Sequence, residues 1–115
     1  MIDFACKKFD LDEIIKCGLG LTKAELLIMK YFVKNLRVEF TSHEVSRELG
    51  LNLTTIQRAV KKLYEKKIIA RHQKNMDKGG YVYTYEAMSK KEVREILKAI
   101  IKKWSDKVED EIDLW

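Results

Sequence analysis

Three times along this chain a hydroxyl residue stands three positions ahead of a glutamate and at the head of a helix-period segment. The three are Thr22-Lys23-Ala24-Glu25, Thr41-Ser42-His43-Glu44 and Ser89-Lys90-Lys91-Glu92. At a helix N-terminus this spacing lets the hydroxyl accept from the N–H three residues on, while the carboxylate accepts from the cap's own N–H. The pattern therefore predicts three helix starts. The first helix runs from Thr22 to about Lys34 and is apolar on most sides through Leu26, Leu27, Met29, Tyr31, Phe32 and Val33, so it is the expected central buried helix. The second runs to about Leu49, buries Val45 and Leu49, and stops at Gly50. The third continues close to Trp115.

Two further helices fill the gaps. Residues 11–17, with Asp10 as N-cap, place Leu11, Ile14 and Ile15 on one face, and Gly18 and Gly20 are read as its stop. Residues 54–66 follow the tight connection Leu51-Asn52-Leu53, capped by Asn52 or Thr54. Strand character is confined to two regions. Arg37–Phe40 alternates polar and apolar residues. The runs Ile68–Lys74 and Tyr81–Glu86 flank Asn75-Met76-Asp77-Lys78-Gly79-Gly80, which reads as the turn of an antiparallel hairpin.

The expected fold class is thus mainly α with a small β-hairpin (α+β): a winged helix-turn-helix with a long C-terminal dimerisation helix. Residues 1–88 form the expected DNA-binding unit with its N-terminal segment, and residues 89–115 the dimerisation helix. With 115 residues, 46% of them hydrophobic, one domain with a real core fits the chain. No apolar run is long enough for a membrane span, and Met1–Lys8 lacks the pattern of a secretory signal, so a cytoplasmic location is expected. Cys6 and Cys17 lack metal-site spacing and are expected to be reduced. No nucleophile–base pair, metal spacing or phosphate loop is visible, so no enzyme, cofactor or metal is expected.

On a helical wheel Ile56, Ala59, Val60 and Leu63 form a core-facing stripe. Opposite lie Thr54, Arg58, Lys61 and Glu65, flanked by Thr55, Gln57 and Lys62. Arg pairs with guanine and Gln with adenine through two hydrogen bonds each, and the N-terminal part of the second motif helix is the part that reaches base edges. Residues 58–78 carry eight basic side chains against two acidic ones, so their net charge of +6 exceeds the +5 of the whole chain. Such a concentrated patch is an electrostatic footprint for phosphates. The expected DNA-binding residues are Thr54, Thr55, Gln57, Arg58, Lys61 and Lys62 on the helix, Arg71, His72, Lys74 and Lys78 on the hairpin, and Ser42 and His43 at the start of the first motif helix. Tyr81, Tyr83 and Tyr85 share one strand face and are read as packing residues.

The last helix carries apolar residues well past the point where a domain this small can cover them. Ile101, Trp104, Val108, Ile112 and Trp115 are therefore the expected homodimer interface, joined by the N-terminal Ile2, Phe4 and Phe9. A two-fold dimer presents two reading helices, which implies a pseudo-palindromic double-stranded DNA operator. The sequence names no small-molecule effector. A protein-contact module of the transcription machinery and an RNA-binding protein are the alternatives.

With those residues placed, the chain resembles the winged-helix transcriptional regulators of the MarR and TrmB-like group, especially small archaeal ones. The segments Gly18–Glu25, Leu53–Leu63 and the hairpin into Gly79-Gly80-Tyr81-Val82-Tyr83 carry the resemblance, over about residues 10–90. It implies a dimeric DNA-binding regulator. Two departures stand out: there is no room for a sugar-binding domain, and Lys67 occupies the place of the usual glycine before the wing strand, which is not expected to disturb the fold.

Overall fold

The computed structural model describes all 115 residues. Its helices are α1 (Leu11–Leu19), α2 (Lys23–Lys34), α3 (Ser42–Leu49), α4 (Leu53–Glu65) and α5 (Lys90–Asp113), with strands β1 (Ile2–Phe4), β2 (Lys7–Phe9), β3 (Ile69–Asn75) and β4 (Tyr81–Ala87). All three hydroxyl–glutamate pairs close reciprocally, at Thr22/Glu25, Thr41/Glu44 and Ser89/Glu92. Asp10 caps α1 and Asn52 caps α4 through their side-chain oxygens.

The core is one cluster built from α1, α2, α3, α4, the hairpin and the first turn of α5. Leu19, Ile28, Phe32, Val45, Ile56, Leu63, Ile68 and Ile69 are fully buried in it. Helices α3 and α4 form the helix-turn-helix, with Gly50 in the left-handed region ending α3. The antiparallel β3–β4 hairpin follows as the wing, in register from Ile69↔Ala87 to Asn75↔Tyr81.

Three features differ from the sequence reading. Gly18 does not stop α1. It lies inside the helix, where a Cβ would come within 3.2 Å of Ile100 Cγ2, so it permits close approach of α1 and α5. Gly20 is the true terminus, with φ +66°. The strand expected at residues 37–40 shrinks to a single bridge, Phe40↔Tyr85, because Arg37 sits at φ +65° and turns the chain just before it. Finally, residues 2–9, to which the sequence assigns no element, form a hairpin of their own, β1–β2.

Helix α5 departs from the body after its first turns. Val93 is buried and Ile96, Leu97 and Ile100 pack on the core, but beyond Ile101 nearly every side chain is exposed. The molecule measures 63 × 24 × 23 Å with a radius of gyration of 17.0 Å. A compact chain of this length has a radius of about 13 Å.

Candidate nucleic-acid interface

The amphipathic split of α4 is complete. Ile56, Ala59, Val60 and Leu63 are buried, while Thr54, Gln57, Arg58 and Lys61 are exposed and Thr55 is half-buried. None of these polar side chains is committed to an ion pair, which leaves their donors free on the surface. On the neighbouring α3, His43 is exposed and Ser42 half-buried, both within the first turn behind the Thr41 cap.

Lys62 is a correction to that grouping. It lies at the edge of the core stripe, close to the α1–α2 junction. Its Nζ donates to Glu25 Oε1 at 2.8 Å and to the Gly20 carbonyl at 3.0 Å. It therefore ties α4 to the start of α2 instead of facing outward. The same Glu25 oxygen accepts from the Thr22 N–H at 2.8 Å. Burial pushes the Glu25 carboxyl up, but the hydrogen bonds and charge of Lys62 and the bonds from Thr22 outweigh it and hold it below the usual value of 4.5.

The wing divides its basic residues between two faces, because strand side chains alternate. Arg71, Gln73 and Asn75 share a face with their partners Tyr85, Tyr83 and Tyr81. His72 and Lys74 lie on the reverse face opposite Thr84 and Val82. There His72 meets Glu86 at 3.2 Å, and Lys74 meets Glu39 at 3.2 Å. Thr84 also donates to Glu39 at 2.7 Å, and this bond, with the one from Lys74, holds the Glu39 carboxyl below the usual range. His72 and Lys74 are thus paired and do not join Arg71 in one cationic surface. Lys78 is exposed in the tip, where Gly79 and Gly80 adopt φ +90° and +76°.

Arg71 occupies a different environment. Its guanidinium lies 4.5 Å from the ring centre of Tyr64 on α4 and 4.4 Å from that of Tyr83 on β4. It has no acidic partner and makes no side-chain hydrogen bond. Tyr81 then meets Tyr83 edge-on at 5.2 Å. Gln57, Lys61 and Tyr64 share a helix stripe at i, i+4, i+7, so the outer face of α4 runs directly into this stack. The sequence reading missed Tyr64, although its position on that stripe was legible. It also read the three wing tyrosines as packing residues. Only Tyr85 packs on the core, while Tyr81 is 55% exposed.

A family model for the DnaD N-terminal domain matches residues 9–109. The chain belongs to the DnaD N-terminal domain family. This DnaD N-terminal domain is also similar to a solved structure described as a possible transcriptional regulator from Methanosarcina mazei, at 45% identity over 100% of this chain and 96% of that one, with a TM-score of 0.95. A Methanocaldococcus jannaschii protein is 26% identical over 99 residues, covering 86% of this chain and 74% of the relative. The fold extends to a Staphylococcus aureus MepR mutant solved bound to an oligodeoxyribonucleotide, at 13% identity over 87% of this chain and 72% of that one, with a TM-score of 0.57. The resemblance to winged-helix regulators read from the sequence thus holds for the fold.

Proposed function

We propose that this DnaD N-terminal domain is a non-catalytic transcriptional regulator that binds double-stranded DNA as a homodimer. The observation that carries this reading is the stack of Arg71 between Tyr64 and Tyr83. It holds the wing on the same side as the exposed Thr54, Gln57, Arg58 and Lys61 stripe, so helix and wing offer one surface to a groove and its phosphates. The M. mazei structure's description as a possible regulator, and the oligodeoxyribonucleotide bound to the MepR mutant, support it by likeness. Within this surface Thr54, Thr55, Gln57 and Arg58 approach base edges, Lys61 and Lys78 approach phosphates, and Ser42 and His43 meet the backbone from α3.

The dimer rests on α5. Trp104 and Ile112 are 64% and 60% exposed, and with Ile101, Val108 and Trp115 they leave an apolar stripe in water along a helix that stands clear of the body. A second copy covers such a stripe economically, through a two-fold contact. Residues 1–88 then act as the DNA-binding unit and residues 89–115 as the joining helix, with a pseudo-palindromic operator as the target.

Fluorescence anisotropy on a random blunt duplex across a salt series tests the reading. Affinity should fall steeply and linearly in log–log form as salt rises. On a selected site, Arg58→Ala should cost about 1–3 kcal/mol and relax specificity at one base pair. A weak, salt-insensitive response to duplex defeats the proposal. That result favours the reading as a protein-contact module, which the internal pairing of Lys62, His72 and Lys74 also fits.

A further inference from the structure

Tyr64, Arg71, Tyr83 and Tyr81 form a series of planar groups running from the end of α4 toward the wing tip, with successive separations of 4.5, 4.4 and 5.2 Å. The two ends of the series are in water: Tyr64 is 40% exposed and Tyr81 55%. Anchoring the wing does not require Tyr81, because Tyr85 on the same strand face already packs on the core and Phe40 bonds to its backbone from the adjoining loop. The Arg71 guanidinium lies over both rings and has no ion-pair or hydrogen-bond partner, so its N–H donors are unpaired. Lys61, three residues before Tyr64 on α4, and Lys78 in the wing tip are exposed.

We propose that this ladder is a stacking site for unpaired nucleobases, so that the protein holds a short single-stranded stretch beside the surface it offers to duplex. The reason lies in the geometry of bases. In a duplex their faces are already stacked on one another and only their edges reach the grooves, so exposed aromatic faces find nothing to stack on. In an unpaired strand the faces are free. A series of rings with a cation between them takes such bases in sequence-tolerant fashion, while flanking lysines follow the phosphates. Arg71, placed over two rings, contributes its unpaired N–H donors to a phosphate or a base at the middle of the run. This goes beyond duplex binding by α4 and stands whether or not that reading holds.

The test uses the full chain and four labelled probes: oligothymidylate and oligouridylate of about 12 nucleotides, within the usual site size, a blunt duplex, and the same duplex with an oligothymidylate tail. The wild-type protein should bind a single-stranded probe and prefer the tailed duplex to the blunt one. The tighter of the deoxy and ribo probes names the source of the bases. Tyr81→Ala should weaken single-strand binding by about tenfold with blunt-duplex affinity unchanged, and Tyr81→Phe, which keeps the ring, should restore it. A 2-aminopurine placed in the tail should be quenched on binding by wild type and by Tyr81→Phe, and less so by Tyr81→Ala. No single-strand binding at low salt overturns the proposal. So does an equal loss on blunt duplex and single strand with Tyr81→Ala, or an unchanged 2-aminopurine signal.

Discussion

Lys67 ends α4 in a conformation that L-residues avoid, at φ +65°. Its N–H donates to the Tyr64 carbonyl at 3.0 Å, and the N–H of Ile68 donates to the Leu63 carbonyl at 2.9 Å, the paired bonds of a Schellman terminus that glycine usually fills. The fold keeps the turn because Ile68 must drop straight into the core, and the left-handed backbone costs about 1–2 kcal/mol for a residue with a Cβ. Lys67→Gly should therefore raise unfolding stability by about 1 kcal/mol, read by urea denaturation. No gain would show that the turn is unstrained. Glu25 has the opposite character: its charge is wanted. Its carboxyl is held below 4.5 in the fold, so the stability it contributes is fully present above that value and disappears as pH falls through the lowered folded value. Glu25→Gln should cost about 1–3 kcal/mol at pH 7, as expected when a buried partner is lost, and the difference from wild type should shrink on acidification below pH 4.5. A constant difference across that range would mean that shape, not charge, matters there.

Helix boundaries were legible because each carries its chemistry in a few letters. The Thr22/Glu25, Thr41/Glu44 and Ser89/Glu92 pairs and the glycines at 20 and 50 act locally, and local rules need no knowledge of the rest of the chain. The wing was legible from its β-rich runs and paired glycines. Its sidedness was not: charge along β3 sums over both faces, whereas alternation sends Arg71 one way and His72 and Lys74 the other, toward Glu39 and Glu86. Lys62 was misread for a related reason, since its acceptor Glu25 lies far away in sequence and only tertiary packing brings it near. The N-terminal hairpin was missed because Ala5 at φ +48° makes its turn without glycine, asparagine or proline to announce it. Helix and wing are coupled through Arg71, and this predicts an effect confined to one element. Arg71→Lys keeps the charge but loses the guanidinium's contact with both rings, so amide exchange should quicken in β3 and β4 while α4 stays protected. Unchanged exchange in the hairpin would show that the stack does not hold it.

For the molecule as a whole, the decisive trait is a body of ordinary size with a rod attached. The rod's apolar side chains past Ile101 lie in water, as does much of the β1–β2 hairpin, where Phe4 is exposed. Truncation after Ser105 should leave the body folded by circular dichroism, because the buried Val93 and the packed Ile96, Leu97 and Ile100 remain, and should give a monomer by light scattering. A truncated chain that still runs at twice its mass would move the interface elsewhere. The strut from Lys62 to Glu25 bears on the same molecule in solution. A lysine locked to a carboxylate displaces no counterion when a polyanion arrives, and Lys74 on Glu39 is in the same position. The slope of affinity against salt should therefore count the unpaired cations alone, and fall short of the tally a reader would make from the basic letters between residues 58 and 78.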